Sequence, residues 1–421
     1  MLDINFIREH PQILKDALAL RGSAIDVDAL LALDEHRRRK LVQEEDLRAV
    51  RNRVSKEIGL MKDKTARDAK IAEMRTLGEQ LEGLTEQVRQ SSAELQARLL
   101  EIPNIPDAST PKGLDDSENV TVKQVGELRV FDFAPKAHWD FAPALGILNF
   151  ERGVKLSGSR FYILSGDGSR LQRALIAFML DLRRRQGYTE QYLPYMVRME
   201  NFEGAGQLPK FADNIYRDHE EDYGWVTTAE VPLTNLHRDE ILTEEQLPLL
   251  YTAHTPCFRR EKVAAGKDVR GIKRGHQFDK VEMYVYCKPE ESAKFLKKMT
   301  ADAEETCSLL GIPYRVRQLC SGDLGFGSQI TFDIELWAPG QQEWLEVSSC
   351  SNVGDFQARR ANLRYRNAET GKVQYVHTLN GSGLGLPRTL IAVMENYQQA
   401  DGSIVIPEVL RPYLGGQTVI R

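Results

Sequence analysis

The sequence predicts an α+β fold: an antiparallel-sheet domain preceded by a long antiparallel helical coiled-coil arm. Three observations predict it. Residues 27–100 contain no proline and only three glycines and consist largely of Lys, Arg, Glu, Gln, Leu and Ala, which favour helix. Residues 101–119, EIPNIPDASTPKGLDDSEN, are rich in Pro, Ser and Asp, as linkers are. Beyond them, short β-type runs (RFYIL, QYLPYMV, EMYVYC, QITFDIELW, EWLEVSSC) are interleaved with helical segments. The expected division is an N-terminal domain over 1–100 with its arm at about 27–100, a linker over 101–119 and a second domain over 120–421.

In the arm, Leu47, Val50, Val54, Ile58 and Met61 keep an alternating three-and-four spacing. Ile71, Met74, Leu77, Leu81, Leu84, Val88 and Leu95 repeat it. The polar stretch GLMKDKTARDAK between the two stripes is expected to turn one helix back on the other. Arms of roughly 30 residues would project about 45 Å at the helical rise of 1.5 Å per residue. Residues 35–70 hold twelve Lys/Arg against seven Asp/Glu, which fits either a solvated coiled-coil surface or an arm lying along a phosphate backbone.

The totals narrow the class. A chain of 421 residues, 42% hydrophobic and 28% charged, can bury a sizeable core in more than one domain. No run approaches a membrane span, and the start MLDINFIREHPQ has neither signal-peptide nor transit-peptide character, so a cytoplasmic protein without a membrane partner is expected. The five cysteines form no C-x-x-C pair, and neither a disulfide framework nor a zinc site is expected. The net charge of −5 does not exclude nucleic acid, because phosphate affinity follows local basic patches.

Such a patch lies in CFRREKVAAGKDVRGIKRGHQFDKVEMY (257–284), with nine Lys, Arg and His residues. Side chains alternate across a strand, so Phe278, Lys280, Glu282 and Tyr284 share one face and Gln277, Asp279, Val281, Met283 and Val285 the other. The same parity is expected to bring Arg259 and Glu261 onto a common face. Two strands joined by a cationic loop suit a nucleotide: Arg259 on the α-phosphate, Arg270 further out, Phe278 against the base. In EWLEVSSC, alternation places Leu345 and Val347 on one side and Glu346 and Ser348 on the other, where carboxylate and hydroxyl suit magnesium or phosphate; a structural edge strand is the plainer alternative. TLNGSGLGLPRTLIAVMENYQ (378–398) reads as a glycine-rich turn entering an apolar helix, with Arg388 in its first turn. Its glycine spacing completes neither a phosphate-binding loop nor a dinucleotide fingerprint, and tight helix packing is the other reading. WVTTAEVPLTNLH supplies a hydroxyl-rich turn and Glu230, which fit a strand-end cap or, together with Glu282, an ammonium site. In SRLQRALIAFMLDLRRRQGY, Leu171, Ala174, Leu175, Phe178 and Leu182 share a helix face and Gly187 suits the C-terminal cap.

Taken in order, the Phe258-Arg259-Arg260-Glu261 strand, HQFDKVE, EVSSCSNVGDFQARRANLRYR and TLNGSGLGLPRTLIAVMENYQ resemble the class II aminoacyl-tRNA synthetases, and within them the seryl-tRNA synthetases. TTAEVPL and the N-terminal arm point the same way, and neither H-I-G-H nor K-M-S-K-S of the class I enzymes is found. The resemblance covers essentially the whole chain. It implies that 120–421 is a class II catalytic domain and 1–100 a tRNA-binding domain.

The resemblance also implies roles. Thr228, Ala229 and Glu230 are similar to the family's serine-binding triplet, completed by Glu282 and Ser382. Arg259, Arg260 and Glu261 are similar to the motif 2 nucleotide contacts, with Arg259 also near the serine carboxylate. Gly275 and Phe278 join the ATP site, Phe278 as the stacking aromatic. Glu346, Val347, Ser348 and Ser349 resemble the second ATP segment, with Glu346 and Ser349 holding Mg2+, and Arg388 resembles the motif 3 arginine. Arg259, Glu261 and Arg388 are the expected catalytic residues. The helix from Leu171 with a strand through Pro194 is similar to motif 1, which implies a homodimer.

The implied reaction is ATP-dependent attachment of L-serine to tRNA(Ser), and also to tRNA(Sec), through seryl-adenylate with release of pyrophosphate. Where family members often read Arg-Ser-Glu-Ala-Gly, this chain reads Arg259-Arg260-Glu261-Lys262-Val263, which bears on how the motif 2 loop handles the tRNA end. Two rivals remain: a ligase loading a carrier protein, which would lack the arm, and a coiled-coil adaptor with a nucleotide-binding domain, which would not need the two carboxylates.

Overall fold

The computed structural model describes residues 1–262 and 270–421. Two compact units emerge: Leu2–Ala19 with Ser23–Ile102, and Met1, Leu20–Gly22 and Pro103–Arg421.

The first unit opens with α1 (Ile4–Glu9) and α2 (Pro11–Leu20) and continues into α3 (Val27–Leu60) and α4 (Lys64–Leu100). The two long helices pair. Val54, Leu81 and Leu95 are buried on their seam, with Leu47, Val50, Ile58, Met74, Leu77, Leu84 and Val88 half-buried beside them. Ile71 is a correction: it is 47% exposed, off the seam that the spacing assigned to it. Ser91, 7% exposed, fills the gap left between Val88 and Leu95. Glu44 is a second polar member, 6% exposed, accepting from Thr85 Oγ1 at 2.7 Å.

The turn is also tighter than the polar stretch indicated. Only Met61–Asp63 separate the helices, and Gly59 stays helical. The α4 start is set by Asp63, whose carboxylate accepts the N–H groups of Thr65 (2.9 Å) and Ala66 (3.2 Å), satisfying donors that a helix start leaves free.

The second unit is built on an eight-stranded sheet: β1 (Val120–Val125), β2 (Thr189–Glu190), β3 (Leu249–Phe258), β4 (Gln277–Cys287), β5 (Tyr314–Gln318), β6 (Ile330–Ala338), β7 (Glu343–Gly354) and β8 (His377–Gly385). Their order is β1-β5-β6-β7-β8-β4-β3-β2, antiparallel except for β2 against β3. Besides short helices at Phe150–Ser157 and Met199–Gly204, this unit contains α5 (His138–Phe141), α6 (Asp167–Arg185), α7 (Glu230–Asn235), α8 (Ser292–Leu309), α9 (Phe356–Arg360) and α10 (Leu386–Tyr397). Residues 103–110 lie against this body: Asn104 Nδ2 donates to the carbonyls of Gly327 and Val353, both at 2.8 Å.

The main core lies where α6, α8 and α10 cover one sheet face. Leu171, Ala174, Leu175, Phe178 and Leu182 of α6 meet Met283 and Val285 of β4, Met299 of α8 and Leu390 of α10. A second cluster forms on the opposite face around Tyr284, Tyr286 and Tyr365. The period-2 alternation of β4 therefore separates two cores, as its sequence parity indicates. The α6 helix ends shortly before Gly187, whose φ is +93°. The strand after it covers only Thr189–Glu190, so Pro194, expected within a strand, stands in irregular chain.

The glycine-rich segment 380–385 is a further correction, since it is strand β8 and not a turn. It lies in mid-sheet between β7 and β4, and small residues there let α8 pack close. A Cβ on Gly381 would stand 2.8 Å from Met299 Sδ and 2.9 Å from Cys350 Sγ. Gly381→Ala should therefore destabilise the domain by about 1–3 kcal/mol, the usual cost of overpacking. Urea unfolding checks this, and an unchanged midpoint would contradict it.

Candidate active site

A cleft of about 380 Å³ opens over the middle of the sheet, lined by β4, β7 and β8, the start of α7, the start of α10 and the chain on either side of the basic loop. The alternation of β4 directs Phe278, Lys280 and Glu282 into it. β8 runs antiparallel beside β4 with Ser382 opposite Glu282, and Asn380 and Ser382 line the cleft by the same alternation.

The acidic end is assembled by hydrogen bonds from several elements. Glu230, at the first position of α7, accepts from Gln357 Nε2 at 2.6 Å and Asn380 Nδ2 at 3.0 Å. Gln357 is itself fixed, accepting from Tyr284 Oη and Thr378 Oγ1, both at 2.8 Å. Glu282 is 1% exposed, accepts from Thr228 Oγ1 at 2.9 Å and is ion-paired with Lys280. Burial, and then the charge of Glu282, push the Glu230 carboxyl up to about 7, against an ordinary 4.5.

The basic end is built around Arg259. The β3 strand stops at Phe258, so strand alternation does not place Arg259 and Glu261 together. Both line the cleft because the chain bends, with Glu261 at φ +50°. That left-handed conformation costs of order 1 kcal/mol for a non-glycine residue. It is held by the Glu261 N–H donating to Asn214 Oδ1 at 2.9 Å and by the carboxylate pairing with Arg274 at 3.2 Å. Arg259 donates from Nε to the Thr227 carbonyl at 3.1 Å, and its guanidinium stands 5.1 Å from the Phe278 ring centre. At the α10 start, Arg388 donates to Glu346 at its carbonyl (2.7 Å) and carboxylate (2.9 Å).

The β7 strand corrects the simple alternation. Ile334 of β6 faces Ser348, but the next residue, Glu335, faces Glu346, so Val347 is an extra residue in a β-bulge. The bulge moves Ser348 off the face of Glu346. Ser348 is fully buried, with its hydroxyl on the Ser382 carbonyl at 2.6 Å, while Ser349 joins Glu346 and Val347 in the cleft. Beside Ser349 lies Asp333 of β6, whose carboxyl is pushed well above its ordinary value by burial and then by the Glu346 charge. Desolvation in the cleft opposes the charge on Glu346, but Arg388, Arg259 and Lys280 together hold that carboxyl below its ordinary value.

Of the residues expected from sequence, Glu230, Arg259, Glu261, Gly275, Phe278, Glu282, Glu346, Val347, Ser349, Ser382 and Arg388 line this one cleft. Thr228 and Ala229 stand behind it, buried. Arg260 is turned away, 5.1 Å from the Tyr216 ring centre, and Arg270 is exposed. Val263 and the middle of the basic loop lie outside the described residues. Lys273, Arg274 and Asn380 also line the cleft and were not singled out from sequence. The alternation that selects Ser382 also selects Asn380, whereas Gln357 and Asp333 become visible only once strands are paired.

The comparisons with known proteins agree along the chain. A family model described as "tRNA synthetase class II core domain (G, H, P, S and T)" matches residues 210–397, and one described as "Seryl-tRNA synthetase N-terminal domain" matches residues 1–106. The serine–tRNA ligase of Roseiflexus sp. (strain RS-1) is 62% identical over 422 residues, covering 100% of both chains. That of Chloroflexus aurantiacus (strain ATCC 29366 / DSM 635 / J-10-fl) is 57% identical over 417 residues, 99% of each. Among solved structures, the seryl-tRNA synthetase from Pyrococcus horikoshii complexed with ATP has a TM-score of 0.93 at 40% identity, covering 100% of this chain and 99% of that one. With both family models and full-length identity of this order, the chain belongs to the seryl-tRNA synthetase family, the serine–tRNA ligases of class II.

Proposed function

We propose that the chain activates L-serine with ATP in this cleft and transfers it to tRNA(Ser), and to tRNA(Sec) as well. The observation that carries the reading is the joining of two carboxylates, Glu230 and Glu282, to a cationic wall of Arg259, Lys273, Arg274 and Arg388 in one cleft. The acids suit the ammonium and hydroxyl of a small amino acid, and the cations suit a triphosphate. The ATP complex of the Pyrococcus horikoshii relative supports the second half.

In the proposed reaction a serine carboxylate oxygen attacks the α-phosphorus and the bond to pyrophosphate breaks. A ribose hydroxyl of the terminal tRNA adenosine then attacks the seryl carbonyl and AMP leaves. No side-chain nucleophile is required, because positioning and charge neutralisation carry the rate. Arg259 and Arg388 are proposed to hold the phosphates, Phe278 the adenine, and Thr228, Ala229, Glu230, Glu282 and Ser382 to shape the serine pocket. Glu346 and Ser349 suit Mg2+, since one carboxylate and one hydroxyl on a shared face leave its remaining positions to water and phosphate. Bound there, Mg2+ would neutralise phosphate charge.

The arm is assigned to tRNA. Arg51, Arg53, Lys56, Lys62 and Lys64 are exposed near its tip, suited to a nucleic-acid backbone read by shape. A homodimer is proposed as well. Tyr192 is 91% exposed, and the strand partners Met196 and Trp225 are 44% and 41% exposed, apolar surface suited to a second copy. No helix among the described residues is long and apolar enough to cross a membrane.

Serine-dependent pyrophosphate exchange and tRNA aminoacylation test the reading. Deleting residues 35–95 should leave exchange largely intact and abolish charging, and equal loss of both would contradict the assignment of the arm. Arg259→Ala should lower kcat/KM for exchange by about 10²–10³-fold while shifting unfolding by about 1 kcal/mol or less.

The Glu230 carboxyl must ionise to bind ammonium, so the serine KM should fall roughly tenfold between pH 6 and 8, and the slope should vanish in Glu230→Gln. Because the folded-state value lies above 4.5, the free protein should lose stability relative to that variant as pH rises from 4.5 to about 7. Parallel melting curves across this range would contradict the burial argument.

A further inference from the structure

The segment returning from the basic loop into β4 carries Lys273, Arg274 and Gly275, all in the cleft wall. Its backbone is pinned just before them. The N–H of Ile272 donates to Nε2 of His138, at the first position of α5, at 3.1 Å. His138 and its partner Glu395, on α10, are both 0% exposed.

Each bond in this chain has one workable direction. Glu395 Oε1 lies 3.0 Å from His138 Nδ1 and accepts the His138 backbone N–H at 3.0 Å and Gln341 Nε2 at 2.9 Å. Oε2 accepts the backbone N–H groups of Gly340 at 2.9 Å and Gln341 at 3.2 Å. With those donors aimed at it, the carboxylate acts only as an acceptor, so Nδ1 carries the ring proton. Nε2 is left with the lone pair that Ile272 requires. The backbone also comes down directly on the ring: Gly271 has φ +74°, and a Cβ there would stand 2.2 Å from Nε2.

Two elements that face the cleft thus share one imidazole. Helix α10 bears Arg388 in its first turn and Glu395 two turns later, and the loop return bears Arg274 and Gly275 directly after Ile272. We infer that His138 is a positioning residue for the nucleotide, setting the register of the loop return against α10 so that Arg274, Gly275 and Arg388 present one rigid surface to the phosphates. The acidic end, built from β4, β8 and α7, does not pass through this link. The inference rests on the cleft being the ATP site.

The test is serine-dependent pyrophosphate exchange with ATP and serine varied separately, in His138→Ala and Glu395→Gln. The glutamine keeps the volume but sets an NH₂ against N–H donors whichever way it turns. Both variants should raise the ATP KM about tenfold with the serine KM within about twofold. Added imidazole should restore part of the loss in His138→Ala but none in His138→Phe, where the ring space is filled. An unchanged ATP KM, or ATP and serine KM rising together without rescue, would overturn the role.

Should the variants not fold, ¹⁵N NMR of the wild-type protein decides. A neutral Nδ1–H tautomer for the buried histidine supports the link, and an Nε2–H tautomer or an imidazolium overturns it. Absence of any exchange in the wild-type enzyme would instead remove the reading of the cleft as an ATP site.

Discussion

Two carboxylates held near each other and largely out of bulk water form the constraint on which the rest of the second unit depends. Burial, and then the neighbouring charge of Glu282, disfavour ionisation of Glu230, and its position near neutrality reflects both. Such a pair persists only where surrounding groups offset its charge. Lys280 does so for Glu282, while Gln357 and Asn380 orient Glu230. The site is therefore left with a demand for a cation, which in the proposed reaction the ammonium group of serine would meet. Glycine-rich β8 and the bend at Glu261 serve the same end, bringing backbone and side chains from distant parts of the chain to one small volume.

The sheet makes this arrangement stiff. Met283 and Val285 lock β4 into one core while Tyr284 and Tyr286 lock it into another, so Glu282 cannot move without disturbing both. In the proposed reaction that stiffness separates substrates by polar satisfaction. Alanine would leave a buried acceptor without its partner, and sites built so can discriminate on the order of 10⁴-fold. Threonine must be rejected by its extra methyl, a weaker lever.

Much of this was legible in the sequence where one periodicity ran without interruption. The spacing of Leu47 to Ile58 and Met74 to Leu95 located the paired helices, and the parity of residues 277–285 separated core from cleft on β4. The misreadings come where a local feature breaks the period. The bulge at Val347 exchanged Ser348 for Ser349, and the left-handed bend at Glu261 did the work that strand alternation was expected to do. The glycines of 380–385 suggest a turn from sequence because their cause, the approach of Met299 and Cys350, lies in other elements. Gln357, Asp333 and His138 act through contacts that no local pattern encodes. The serine-pocket roles rest on resemblance to a family; of those residues Glu230, Glu282 and Ser382 line the cleft, with Thr228 and Ala229 buried behind it.

A structure determined with ATP and serine bound tests the central claim most directly. The account predicts the α-phosphate against Arg259, the adenine on Phe278 and the serine ammonium between Glu230 and Glu282. ATP lodged outside this cleft, or serine bound without contact to either acid, would contradict it.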